Sequence, residues 1–415
     1  MLTSRERIRR LLAGETVDRM PNGLGGCETA GLHLLVHDRL QALLGVEPQA
    51  PTRMSTFMTT ALVEPPMLEA LGGDMILMST KLCPAQLWGE GHEAQWTTTE
   101  FWGRPYRVAR AWTFESRADG SIYWADHDWH CPAGGIYFDP MPAPTTDGGW
   151  NLGEPLMPDD YHPSHDIPDE RLRQLEESAR WLHEHTDYAI VCGEEITDLQ
   201  YHVGGAQAWW MRLASEPEVV HAFLAKAVDA ALDQIALLDQ AVGQYADMMQ
   251  LADDIGDVRG VTIGPDLWRE IYKPHYMDLY QGWHQRTNMK VSMHGCGATF
   301  DILGDLIECG VDVYNPVQIS ARGMEPERLK AAYGDRLVLY GGCFDAVQTP
   351  PSTPADEVYD TVVRNLLILS RGGGYIFSGV HNMPGDTPDA HLEAILQAYR
   401  DCRDDPQLLN GEGTL

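Results

Sequence analysis

Through the second half of the chain, short apolar runs alternate with longer amphipathic stretches. The runs Ala189-Ile190-Val191, Met248-Met249-Gln250-Leu251, Lys290-Val291-Ser292-Met293-His294, Val311-Asp312-Val313-Tyr314, Leu337-Val338-Leu339-Tyr340 and Tyr375-Ile376-Phe377-Ser378 are too short for buried helices and read as strands. Between them the spacing predicts helices: about Asp169 to His185, a Ser215-x-x-Glu218 cap running to about Val242, about Pro265 to Arg286, one ending at Cys309-Gly310, one before Leu337, about Thr353 to Ser370, and a last one to about Arg400. Upstream, Thr3-x-x-Glu6 has capping-box spacing and opens a helix that stops near Gly14, and a helix from about Met67 precedes the strand Met75-Ile76-Leu77-Met78.

Strict alternation of strand and helix predicts parallel strands joined by helical crossovers. Two N-terminal strands bring the count to about eight, which favours a closed (β/α)8 TIM barrel of the α/β class over an open sheet. Residues 88–150 break the rhythm. Seven of the twelve tryptophans (Trp88, Trp96, Trp102, Trp112, Trp124, Trp129 and Trp150) fall there among Thr, Tyr, Gly and Asp. Alternating patches such as Arg107 to Trp112, and the turn Ala118-Asp119-Gly120-Ser121, read as an inserted β-meander within a single domain spanning 1–415. Its aromatics are expected to form a small core rather than a platform for a flat ligand.

A hydrophobic fraction of 44% and a charged fraction of 22% are ordinary for a globular chain. Charge changes the picture more: 61 acidic against 30 basic residues give a formal charge of -31, which disfavours nucleic acid and anionic membrane as partners. The charged N-terminus does not resemble a signal peptide, no stretch reaches membrane-spanning length, and the eight cysteines contain no Cys-x-x-Cys pair. Reduced thiols and a cytoplasmic location are expected.

In a barrel, residues just after the strands share one rim, where active sites are built. Here those residues are Glu194, Glu195, Asp253, Asp254, His294, Cys296, Gln318, Cys343 and His381. His294 and Cys296 stand two apart at the end of a strand and so face the same way, half of a zinc site. Cys343 and His381, each after another strand, are the further candidate ligands, and thiolate with imidazole suits zinc better than magnesium or calcium. Asp253, Asp254, Glu195 and Gln318 are the catalytic candidates, and Asn382 is placed to orient His381.

Several segments resemble the uroporphyrinogen decarboxylase superfamily, which includes zinc- and corrinoid-dependent methyltransferases. They are Arg5-Glu6-Arg7-Ile8 with Gly14 to Pro21; Ala252-Asp253-Asp254-Ile255-Gly256; Met293-His294-Gly295-Cys296-Gly297; Val311 to Gln318; and Gly373-Gly374-Tyr375 with His381-Asn382 and Asp386-Thr387-Pro388. The decarboxylase branch implies an Arg-Gln-Ala-Gly-Arg motif and a nearby Asp, but this chain has Gly26-Cys27-Glu28-Thr29-Ala30-Gly31 and Met78-Ser79-Thr80-Lys81. A polycarboxylate facing Glu28 without arginines would bind poorly. The methyltransferase branch implies His294 and Cys296 as zinc ligands and a third ligand, a Cys in that branch, at the position of His381; Cys343 or His381 fills the role here.

The resemblance implies methyl transfer to or from a corrinoid, as in demethylation of methoxylated or methylated compounds or transfer from a methylcorrinoid to an acceptor. The Asp-x-His-x-x-Gly signature of corrinoid-binding domains is absent, so a partner corrinoid protein is expected, together with a small-molecule methyl donor or acceptor. The alternatives are a metal-free, decarboxylase-like enzyme and a non-catalytic zinc- or corrinoid-binding accessory protein.

Overall fold

The computed structural model describes residues 1–55, 58–79, 81, 83, 85–140, 157–197, 199 and 206–405. Trp150, Thr80 and the last part of the expected insertion lie outside the described residues. The apolar runs form one parallel sheet of seven strands in chain order: Met75–Ser79, Ala189–Cys192, Met248–Ala252, Lys290–His294, Val313–Asn315, Val338–Tyr340 and Tyr375–Ile376. Most of their residues are buried on both faces, as expected of parallel strands covered by helices.

Residues 21–23 take the eighth position without becoming a regular strand. The Pro21 carbonyl accepts from the Phe377 N–H (2.8 Å), the Gly23 N–H donates to the Phe377 carbonyl (2.9 Å), and the Asn22 carbonyl accepts from the Asp74 N–H (2.8 Å). The last strand is thereby joined to the first and the sheet curls closed, as the TIM-barrel reading expects. Pro21 has no N–H to extend the ladder. A Cβ on Gly23 would lie 2.5 Å from the Tyr340 ring, so the close approach needs glycine. Beneath the barrel, buried Asp74 accepts from Arg7 (2.6 Å) and Arg19 (2.8 Å), fixing the N-terminal helix Ser4–Leu12; that helix opens on the expected capping box of Thr3 and Glu6.

Most predicted helices stand, with three differences. Ser215 does not cap the long helix Pro217–Val242: it ends a separate helix, Ala206–Ser215, and its hydroxyl donates to the Met211 carbonyl. The stretch predicted from Pro265 to Arg286 splits into Pro265–Ile271 and Lys273–His284, because Pro274 lacks the N–H that would continue one helix. Leu34–Leu44, capped by the His33 ring accepting from the Leu35 N–H, has no counterpart in the sequence reading.

The Trp-rich segment forms two small antiparallel sheets, Trp96–Phe101 with Arg104–Ala109, and Phe114–Ser116, Ile122–Trp124, Trp129–Cys131 and Asp139–Pro140. Gly120, at φ +88°, makes the turn before Ser121. Trp96, Trp112 and Trp124 are buried, with the Trp112 and Trp124 rings 4.7 Å apart, so these aromatics pack as a core. Trp88 belongs to the barrel, its indole N–H donating to the Leu77 carbonyl (2.9 Å). No helix among the described residues is long and apolar enough to cross a membrane.

Candidate metal centre

The strand Lys290–His294 lies between Met248–Ala252 and Val313–Asn315, and parallel register sets His294 beside Ala252 on one side and Asn315 on the other. After His294 the chain turns upward. The Gly295 N–H donates to the Asn315 carbonyl (2.7 Å), and the Cys296 N–H donates to Asp254 Oδ1 (3.0 Å). Gly297, at φ +96°, presses against the Gly256 backbone, where a Cβ would sit 2.4 Å from a carbonyl carbon. This glycine-on-glycine contact folds the loop so that the Cys296 thiol comes back over the strand end.

The result is a cluster of three donor atoms, one each from His294, Cys296 and His381, all within 4.8 Å of one another. Cys296 Sγ is 3.5 Å from His294 Nε2, and the His294 and His381 rings meet edge to face at 5.2 Å. Asp254 Oδ1 lies 3.9 Å from His294 Nε2. Two imidazoles and one thiol with a carboxylate close by fit zinc, and three protein ligands leave a coordination position for a reacting group.

Electrostatics agree with a ligand role for the imidazoles. Burial above all holds His294 below the usual histidine range, against the Asn315 bond and Asp254, and holds His381 at about 4, with the neighbouring His294 adding and Asp254 opposing. Both rings are therefore neutral at pH 7, the form that binds metal. The Cys296 thiol is pushed up to about 12, chiefly by burial and then by Asp254, and stays protonated until a metal replaces the proton.

Behind the donors runs a buried relay that the sequence reading missed. His294 Nδ1 donates to Asn315 Oδ1 (2.8 Å), the same oxygen accepts from the Thr29 hydroxyl (2.7 Å), and Thr29 Oγ1 accepts from Gln250 Nε2. With Nδ1 carrying the proton, the Nε2 lone pair is turned to the cluster. Asn315 was within reach of a register count, since it ends its strand as His294 ends the one before it. Thr29, from the N-terminal loop, carries no such signal.

Other expected site residues fall differently. Cys343, the other candidate ligand, is not among the three clustered donors. It is fully buried in the hydrophobic core, its N–H donates to the Ser378 carbonyl (3.0 Å), and its thiol is pushed well above the usual range by burial. The positive-φ glycines Gly341 and Gly342 turn the backbone against Gly379 and Val317. Asn382 does not hold His381: its Oδ1 accepts from the Gly31 N–H (2.6 Å) and its Nδ2 faces Met58 Sδ (3.3 Å).

Glu195 is buried in an ion pair with Arg171 and accepts from the Ser79 hydroxyl (2.9 Å), a brace between helix Asp169–His185 and the barrel. Glu194 accepts from the Ala252 N–H (3.1 Å). Gln318 Oε1 accepts from the Gly297 N–H (2.7 Å), holding the loop that carries Cys296, and the residue also lines the cavity beside it. Asp253 is buried, and its N–H donates to the His294 carbonyl (2.8 Å).

Cys296 and His381 open onto a cavity of about 230 Å³ walled by Phe344, Val380 and Met383. At the position where the decarboxylase motif would supply arginine, the Glu28 carboxyl is pushed up to about 8, first by burial and then by Glu194, with Lys81 opposing.

A methyltransferase from Methanosarcina mazei has a similar structure, with a TM-score of 0.55 at 16% identity over 97% of this chain and 99% of that one, a likeness of fold. A citrate lyase from Burkholderia xenovorans LB400 reaches a TM-score of 0.24 at 12% identity over 59% of this chain and 80% of that one, too low to bear on the fold. No curated protein sequence matches the chain. The family model described as uroporphyrinogen decarboxylase (URO-D) matches residues 158–402, which carry six of the seven sheet strands and all three clustered donors. With more than half of its length matched, the chain belongs to the uroporphyrinogen decarboxylase (URO-D) family.

Proposed function

We propose that this protein is a zinc-dependent methyltransferase that moves a methyl group to or from a corrinoid carried by a separate protein. The observation that carries the reading is the His294–Cys296–His381 cluster opening onto a cavity at the barrel rim. The fold shared with a methyltransferase supports it, as does the absence of the arginine motif at Gly26 to Gly31 that would bind an anionic porphyrinogen.

His294, Cys296 and His381 would hold the zinc. When bound there, zinc supplies Lewis acidity toward a methyl-bearing oxygen or keeps an acceptor thiol in its nucleophilic thiolate form. The chain's own residues do the positioning. Asn315 keeps the His294 proton on Nδ1, and Asp254 and Gln318 hold the loop that presents Cys296. The rim above the cavity is where the corrinoid protein docks, and the small methyl donor or acceptor lies in the cavity.

The test is elemental analysis joined to a transfer assay with free methylcobalamin and cob(I)alamin, followed by their visible absorption. About one zinc per chain, methyl transfer in either direction, and loss of both in the H294A/C296A protein are expected. A protein purified without chelators that carries no transition metal, or one that holds zinc yet exchanges no methyl group, overturns the proposal.

A further inference from the structure

The cavity beside the donor cluster has a charge pattern of its own. Its walls are mainly apolar: Phe344, Ala346, Val347, Val380 and Met383, with Val347 at the lip and 70% exposed. Its polar lining is amide (Gln318, Gln348 and Asn382) together with the carboxylate of Asp345. Among the described lining residues there is no lysine or arginine.

Asp345 accepts from the Val347 and Gln348 N–H groups (3.1 Å each) and from the Ser320 hydroxyl, all neutral donors, so no cation among the described residues cancels its charge. Arg171 is paired with Glu195, and Lys81 donates to the Ile196 carbonyl (2.9 Å). A dication bound there would be met by the charges of the Cys296 thiolate and of the nearby Asp254 and Asp345 carboxylates.

Size narrows the choice further. The volume of about 230 Å³ is below the range of pockets that hold drug-sized ligands, roughly 300 to 1,000 Å³. It equals about eight water volumes of ~30 Å³ each. We infer, building on methyl transfer at this site, that the small molecule it accepts is uncharged, with a compact apolar body and few polar groups, and that anionic molecules of the same size are rejected. An anion would leave water for apolar walls and a carboxylate, with no counter-charge in return. The amides orient a hydroxyl or ether oxygen without selecting a charge.

The experiment compares isosteric probes that differ in charge, with and without metal. On metal-free protein, 4-methoxybenzamide and 4-methoxybenzoate are titrated by ligand-observed NMR. On the cobalt(II)-loaded protein, 3-mercaptopropionamide and 3-mercaptopropionate are titrated through the visible bands of the cobalt. The neutral member of each pair is expected to bind about 10-fold or more tightly, a difference typical of one uncompensated charge. Val347→Lys, a change at an exposed lip position, should raise affinity for the anionic probes about threefold relative to the neutral ones.

Anionic probes that bind as tightly as neutral ones, or no binding of either 4-methoxy probe, overturn the inference. Failure of cobalt to load counts against the zinc-site reading instead, and the metal-free titration then still decides the question of charge.

Discussion

Asn315→Ala is the most incisive change at the metal centre, because it leaves every donor atom in place. Asn315 is 1% exposed, and its Oδ1 accepts both His294 Nδ1–H (2.8 Å) and the Thr29 hydroxyl (2.7 Å). Truncation frees the imidazole to carry its proton on either nitrogen and to turn about its own axis. Loss of such an orienting partner costs about 10- to 100-fold in metal affinity, or ~1.4 to 2.7 kcal/mol. The two orphaned donors cost about 1 to 3 kcal/mol each in folding stability, less whatever a water entering the gap restores.

Asn315→Asp separates the two effects. Its carboxylate still accepts from both donors, so metal affinity should hold within about threefold or rise, while the buried charge lowers stability of the metal-free protein. Zinc affinity is read by competition with a chromophoric chelator, and stability by thermal unfolding of the metal-free protein. If Asn315→Ala binds zinc within about twofold of the parent, the relay does not orient His294 and the reasoning fails.

Cys343→Ala should keep zinc affinity within about threefold and cost about 1 kcal/mol through a small core cavity, whereas His381→Ala should lower zinc affinity about 10-fold or more; chelator competition on the two variants reverses the assignment if the order is opposite. Apparent zinc affinity should rise about tenfold per pH unit between pH 6 and 8, since the Cys296 thiol near 12 gives up one proton and the neutral imidazoles give up none; a flat profile would mean the thiol is not a ligand. Because His381 titrates near 4 in the folded chain and near 6.5 when unfolded, the metal-free protein should lose stability as pH falls from about 6.5 toward 4, and His381→Gln should blunt that loss in thermal melts at several pH values. Uroporphyrinogen should not be decarboxylated, because the Gly26 to Gly31 segment offers Glu28 and no arginine; coproporphyrinogen formation in a fluorescence assay would contradict this.

The alternating apolar runs made the barrel legible because parallel strands buried on both faces cannot tolerate charge and so announce themselves. Residues 21–23 were harder, since the eighth position is held by a few hydrogen bonds around Pro21 and Gly23 rather than by a patterned strand. The strand ending at His294 pointed directly to the Cys296 pair, because side chains two apart share a face. Cys343 misled for a reason that position alone cannot reveal: whether a side chain at a strand end faces the mouth or the core depends on the backbone path, here turned by Gly341 and Gly342. Helices Leu34–Leu44 and Ala206–Ser215 escaped notice because one is capped by a histidine and the other runs almost directly into its successor. Asn315 and Thr29 act through partners far off in sequence, and their roles follow from register and loop docking rather than from any local motif.

The closure of the barrel through residues 21–23 has a consequence for how the chain is made. As the polypeptide leaves the ribosome, the Pro21 carbonyl and the Gly23 N–H have no partner until Phe377, far downstream, emerges. Until then the growing sheet presents an unprotected apolar edge, the kind of surface on which nascent chains join one another. Thr29, which completes the relay behind His294, waits in the same unfinished N-terminal loop. Yield at high expression rates should accordingly depend on chaperones that shield the first strands, and slower synthesis at low temperature should return more soluble protein from the same message.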